Sequence, residues 1–114
     1  MRSVLVVDDD PTIKKLVARI LADAGYDPST ASSLPEALEL ARERTFDLVI
    51  SDIVLSDGGD GLDLVEGVRA VQPGINVLHI SGYAQRWSHS GGNAILAKPF
   101  SAAQLLERVE ALLR

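Results

Sequence analysis

Short, almost wholly apolar runs alternate along this chain with longer stretches in which apolar residues return at helical spacing. The runs are residues 3–7 (SVLVV), 47–51 (DLVIS), 76–80 (NVLHI) and 94–97 (AILA). Four or five residues of this character suit strands of a parallel sheet that are covered on both faces. Between them, Ile13, Leu16, Val17, Ile20, Leu21 and Ala24 follow the spacing of one helix face, opened by Pro11 in the first turn and closed by Gly25. Ser33 with Glu36 has capping-box spacing ahead of Ala37, Leu38 and Ala41, and Ser101 with Gln104 repeats it ahead of Leu105, Leu106, Val109, Leu112 and Leu113. Leu64, Val65, Val68 and Val71 supply a further stripe that ends before the turn pair Pro73-Gly74.

A fifth strand is expected at residues 26–31 (YDPSTA), where Pro28 lacks the N–H for a second ladder and so points to a sheet edge. Strands alternating with helices predict an α/β fold, a flavodoxin-like doubly wound five-stranded parallel sheet in the order 2-1-3-4-5, whose second strand is an edge. Residues 81–93 (SGYAQRWSHSGGN) hold few apolar positions, so the fourth helix is expected to be short or irregular.

Composition narrows the function. The 114 residues suit one domain spanning 1–114, and 46% hydrophobic with 24% charged residues is a globular balance. The absence of cysteine excludes thiol nucleophiles, disulfides and cysteine zinc sites, and fits a reducing compartment. No apolar run is long enough for a membrane span or a signal peptide, so a cytoplasmic protein without membrane contact is expected. A net charge of −5 with scattered basic residues argues against nucleic-acid binding through this domain.

In an open parallel sheet, ligands bind beyond the carboxyl ends of the strands. That rule selects Asp8, Asp9 and Asp10 after the first strand, Asp52 after the third, Ser81 after the fourth, and Lys98 followed by Pro99 after the fifth. Asp8, Asp9 and Asp52 would repel one another unless a hard divalent cation joined them, and magnesium suits a shallow carboxylate rim that also meets phosphate oxygens. Lys98 and Ser81 would then serve the remaining phosphoryl oxygens. A carboxylate can itself take a phosphoryl group, and Asp52, alone between the acid cluster and Lys98, is the expected acceptor. Asp10, before Pro11 and a strong helix, reads as an N-cap outside the site.

In order along the chain, VLVVDDDP, DLVISDIVL, VLHISGYA and AILAKPF resemble the receiver domain of two-component response regulators. The resemblance implies that Asp52 is the phospho-acceptor and that Asp8 and Asp9 position Mg2+, with Val54 contributing its backbone carbonyl. It also implies that Ser81 is the switch hydroxyl, Lys98 the family lysine, and the Lys98-Pro99 bond cis. The implied partners are a histidine kinase or a histidine phosphotransfer protein and an unknown downstream protein, with a phosphorylation-dependent dimer as a further possibility. Such a protein is a switch, not an enzyme.

Four features depart from the family pattern. Ser56 stands where a proline is usual, in a loop that looks one residue longer. Ile95 stands where an aromatic switch residue is usual, and the interval from Ser81 to Lys98 is short. Tyr83 lies two places past Ser81, where it would hang over the acceptor and slow hydrolysis.

Competing readings are weaker. Residues 58–64 (GGDGLDL) match one copy of a calcium-binding nonapeptide, which needs about three stacked copies. Asp57, Asp60 and Asp63 have the wrong spacing for an EF-hand, so Asp57 and Asp60 read as loop residues and Asp63 as first-turn helix charge. His79 and His89 have no ligand-spaced neighbours for zinc and read as structural or surface residues. Trp87 near Arg86 fits a partner anchor or a packed loop equally. DDDPT (8–12) fits the pattern of haloacid-dehalogenase-type phosphatases, with Asp8 as nucleophile, but no aspartate occurs beyond Asp63 to complete that site. A phosphate-independent receiver-like interaction module is the other alternative, suggested by Ile95 and the short fourth segment.

Overall fold

The computed structural model describes residues 2–52, 61–81, 94–97 and 99–113, with only the backbone described at 52, 61–65, 81, 94 and 95. The elements are β1 (Ser3–Val7), α1 (Pro11–Asp23), β2 (Asp27–Ala31), α2 (Leu34–Glu43), β3 (Leu48–Asp52), α3 (Gly61–Val71), β4 (Asn76–Ser81), β5 (Ala94–Ala97) and α4 (Ala102–Leu112). All strand pairings are parallel and the order is β2-β1-β3-β4-β5, as expected from the sequence. β2, the strand that carries Pro28, lies at the edge. The expected short or irregular helix beyond Ser81 falls outside the described residues.

The two sheet faces divide the apolar runs by alternation. Val4, Val6, Leu48, Ile50, Leu78, Ile80 and Leu96 pack with Val17 and Leu21 of α1 and Leu105 and Val109 of α4. Leu5, Val7, Ala31, Val49 and Val77 pack with Ala37 and Ala41 of α2 and Val68 of α3. Each fully buried Val, Leu or Ile contributes roughly 1.5–3 kcal/mol, so the doubly covered central strands hold most of the stabilisation. On the second face, α2 and α3 approach closely: a Cβ at Gly67 would lie 2.9 Å from Leu38 Cδ2.

Helix ends follow the capping residues. Asp10 is the N-cap of α1, its Oδ1 accepting from Thr12 N at 2.9 Å. Gly25 adopts φ 92°, the left-handed region open to glycine, which lets Tyr26 N reach back to Leu21 O at 3.0 Å. Ser101 and Gln104 form the full reciprocal box on α4. On α2 only half of the expected box forms. Ser33 Oγ accepts from Glu36 N, whereas the Glu36 carboxylate turns to Ser32 N at 3.3 Å.

Side chains tie the amino pole of the sheet. Asp47 accepts from Ser3 N at 3.0 Å. Arg44 bonds Asp27 at 2.8 Å and Ser29 at 3.1 Å while lying 5.3 Å above the Phe46 ring. Gln72 accepts from Phe46 N and donates to Ala41 O and Arg44 O, each at 2.8 Å, and so joins the end of α3 to the α2–β3 loop. Arg2 donates to the carbonyl of Leu113. A groove of about 420 Å³ lies at this pole, lined by Arg2, Phe46, Asp47, Gln72 and Asn76 among others, and neither Asp8 nor Asp9 lines it.

Candidate functional site

The opposite pole carries the acids, and strand register sets their level. Val7 pairs with Ser51, so the residues that follow, Asp8 and Asp52, stand side by side where β1 and β3 end. Asp52 pairs with Ile80, one residue before Ser81, and Ser81 pairs with Ala97, one residue before Lys98. The sequence placed Asp52 and Ser81 after their strands; in the fold each is the last residue of its strand, held by the ladder itself. Lys98, Val54, Ser56, Tyr83, Arg86, Trp87 and His89 lie outside the described residues.

Asp8 is buried to 2% exposure even though it is an acid at a strand end. Two backbone bonds hold it: its N–H donates to Ala31 O at 3.1 Å, and its Oδ1 accepts from Asp10 N at 2.8 Å. The second bond orients the carboxylate. Asp9 is half-buried and Asp10 exposed, so the three consecutive acids fall into three environments. Asp10 spends its carboxylate on the cap, as its place before Pro11 suggests. No third acid or histidine joins Asp8 and Asp9 among the described side chains.

Two features of this pole escaped the sequence reading. Ser51 and His79 are both fully buried and are register partners on β3 and β4, beneath the rim. His79 pairs in turn with Ile95 of β5. The polar Ser at the end of DLVIS and the His within NVLHI were the available signals, but neither reveals that register aligns them. The other feature is Lys14 on α1, whose Nζ donates to Ser32 Oγ on the β2–α2 loop. Lys14 stands four residues after Asp10, a helical spacing that hints at a shared neighbourhood and does not name Ser32.

In a doubly wound parallel sheet the ligand site lies beyond the carboxyl ends of the strands, the pole at which Asp8 follows β1 and Asp52 ends β3. The comparisons with known proteins are specific. The model of the response regulator receiver domain matches residues 4–110, and the chain belongs to that family, which serves two-component signalling. It is 34% identical over 122 residues to the probable transcriptional regulatory protein TcrX of Mycobacterium tuberculosis, covering 98% of this chain and 50% of that protein. It is 26% identical to the response regulator receiver protein CpdR of Brucella abortus, over 99% of this chain and 98% of the relative. The chain thus spans half of one relative and nearly all of the other. Among solved structures it is similar to the Vibrio cholerae chemotaxis protein CheY4, with TM-score 0.89, 32% identity and 99% of each chain covered. The receiver domain of the hybrid histidine kinase CckA superposes with TM-score 0.86 and 34% identity, over 98% of this chain and 99% of that one.

Receiver domains are not catalytic enzymes in the usual sense, and the family typically uses Mg2+. The donors at this pole fit such an ion, because Asp8 and Asp9 present carboxylate oxygens of the hard type that magnesium prefers. Among the described residues no helix is long and apolar enough to cross a membrane.

Proposed function

We propose that residues 1–114 form one phospho-accepting receiver domain, which takes a phosphoryl group on Asp52 from a histidine kinase or a histidine phosphotransfer protein. The observation that carries this reading is the register that sets Asp8 and Asp52 level on β1 and β3. In the transfer, a carboxylate oxygen of Asp52 bonds to phosphorus while the P–N bond of the donor phosphohistidine breaks. The bonding pair stays on the imidazole nitrogen. Asp8, Asp9, Asp52 and the Val54 carbonyl would hold Mg2+, which when bound supplies positive charge against the phosphoryl oxygens. Lys98 offsets charge from the β5 side, and Ser81 donates its hydroxyl to the acquired phosphoryl group.

Movement of the segment after Ser81 would then change affinity for a downstream protein or a second copy, a shift between two populations. Lys98→Ala is expected to leave Asp52 able to accept the group but to uncouple it from that segment. Tyr83, two places past Ser81 in sequence, would slow loss of the phosphoryl group, so Tyr83→Ala should shorten its lifetime. Cytoplasmic placement, without membrane or nucleic-acid contact through this domain, belongs to the same proposal.

Phosphotransfer from a panel of histidine kinases, with Asp52→Ala as control, tests the reading. Transfer that persists in Asp52→Ala would refute it. The phosphatase alternative would instead label Asp8 and has family membership against it. Ile95 in place of an aromatic residue keeps a phosphate-independent interaction module as a second reading, for which Asp52→Ala should leave partner binding unchanged.

A further inference from the structure

Lys14 belongs to a ring of hydrogen bonds that closes around the acidic turn after β1. Its backbone N donates to Asp10 O at 3.0 Å, and Asp10 N donates to Asp8 Oδ1 at 2.8 Å. Asp8 N donates to Ala31 O at 3.1 Å, and the next residue, Ser32, accepts from Lys14 Nζ. Ser32 is itself fixed, since its N–H donates to Glu36 Oε2 at 3.3 Å. An exposed lysine side chain would ordinarily sweep through solvent, and confining it costs rotamer entropy. Here the ammonium is tethered to Ser32, the residue after Ala31, whose carbonyl accepts from Asp8 N. Two hydrogen bonds and the Ala31–Ser32 peptide link the Asp8 N–H to this ammonium, which places the charge within roughly one Debye length, ~10 Å at 0.1 M salt, of the Asp8 backbone.

We propose that Lys14 is a resident counter-charge for the acid pair, positioned by Ser32, which weakens the affinity of this pole for a divalent cation. The proposal rests on the reading of Asp8 and Asp9 as the cation-holding pair. Before a cation binds, the ammonium lowers the repulsion between the two carboxylates. Once a cation binds, the same charge opposes it, and the opposition is doubled for a divalent ion. Lys14 is therefore a positioning and tuning residue, and it touches neither the phosphoryl group nor the acceptor in this account.

Titration calorimetry with MgCl2 on the full chain tests the idea. Lys14→Met is expected to tighten Mg2+ binding by about three- to tenfold at low ionic strength. The difference should shrink strongly in about 1 M KCl, where the Debye length is ~3 Å. Lys14→Arg, which keeps the charge, should retain the wild-type affinity. The proposal is overturned if Lys14→Met leaves Mg2+ binding unchanged or weaker, if Lys14→Arg tightens it as much as Met does, or if the difference survives high salt. Asp9→Asn separates the two layers. If it leaves Mg2+ binding intact, the cation reading of the acid pair fails and the Lys14 proposal with it. If Asp9→Asn weakens binding while Lys14→Met does not tighten it, the Lys14 proposal alone fails.

Discussion

Ser51 of β3 and His79 of β4 are register partners, and both are fully buried, Ser51 one residue before the strand end at Asp52 and His79 two before the strand end at Ser81. The fully buried imidazole fills core volume that an alanine would leave as a cavity. His79→Ala is therefore expected to destabilise the protein by about 2–4 kcal/mol, within the range for truncating a large buried side chain. Urea denaturation measures this, and a loss below ~1 kcal/mol would contradict the burial.

Asp10 and Asp8 are neighbours in sequence with different duties. Asp10→Ala removes the cap bond to Thr12 N and should cost about 1 kcal/mol of stability. It should not prevent modification of Asp52, because the Asp10 N–H that holds Asp8 belongs to the backbone. Thermal unfolding together with mass spectrometry after acetyl phosphate treatment checks both halves. Loss of modification with the fold intact would assign Asp10 to the site.

Gln72 makes three side-chain hydrogen bonds to the backbone between the end of α2 and the start of β3. Gln72→Leu keeps much of the volume and removes all three. At ~1 kcal/mol per bond, discounted because water can reach a half-buried group, the expected loss is about 1–3 kcal/mol. Amide exchange should accelerate at Phe46 N, whose acceptor is lost, and unaltered protection there would count against the assignment.

Gly67 sets how closely α2 and α3 approach. In Gly67→Ala, the added Cβ meets the flexible end of Leu38 at 2.9 Å, while helix propensity gains about 1 kcal/mol, so the net change should lie within ~1 kcal/mol of zero. Gly67→Leu cannot be absorbed by one rotamer change and should cost about 1–3 kcal/mol. Equal stability of the Leu variant and wild type would show that the two helices separate freely.

Much of this arrangement was legible because it is written in local chemistry. Pro28 marked the edge strand, Asp10 before Pro11 marked a cap, and Ser101 with Gln104 marked a box that forms in full. The α2 box was read from the same spacing and forms only in half, because Glu36 is drawn to Ser32 N, a donor left available by the turn that follows β2. Spacing identifies partners that are possible within one turn of a helix; it does not rank them against a neighbouring loop.

By itself the sequence determined the kind of the described elements, their parallel order and the strand ends where acids gather, because apolar runs, caps and breakers act over a few residues. Tertiary structure alone decided which face each strand residue joins, since both faces are apolar and the period of two leaves no trace in the runs. It also decided that Asp8 and Asp52 stand level, that Ser51 meets His79, and that the Lys14 ammonium comes to rest on Ser32. Those relations depend on the register and docking of segments distant along the chain, which burial of the whole core fixes together.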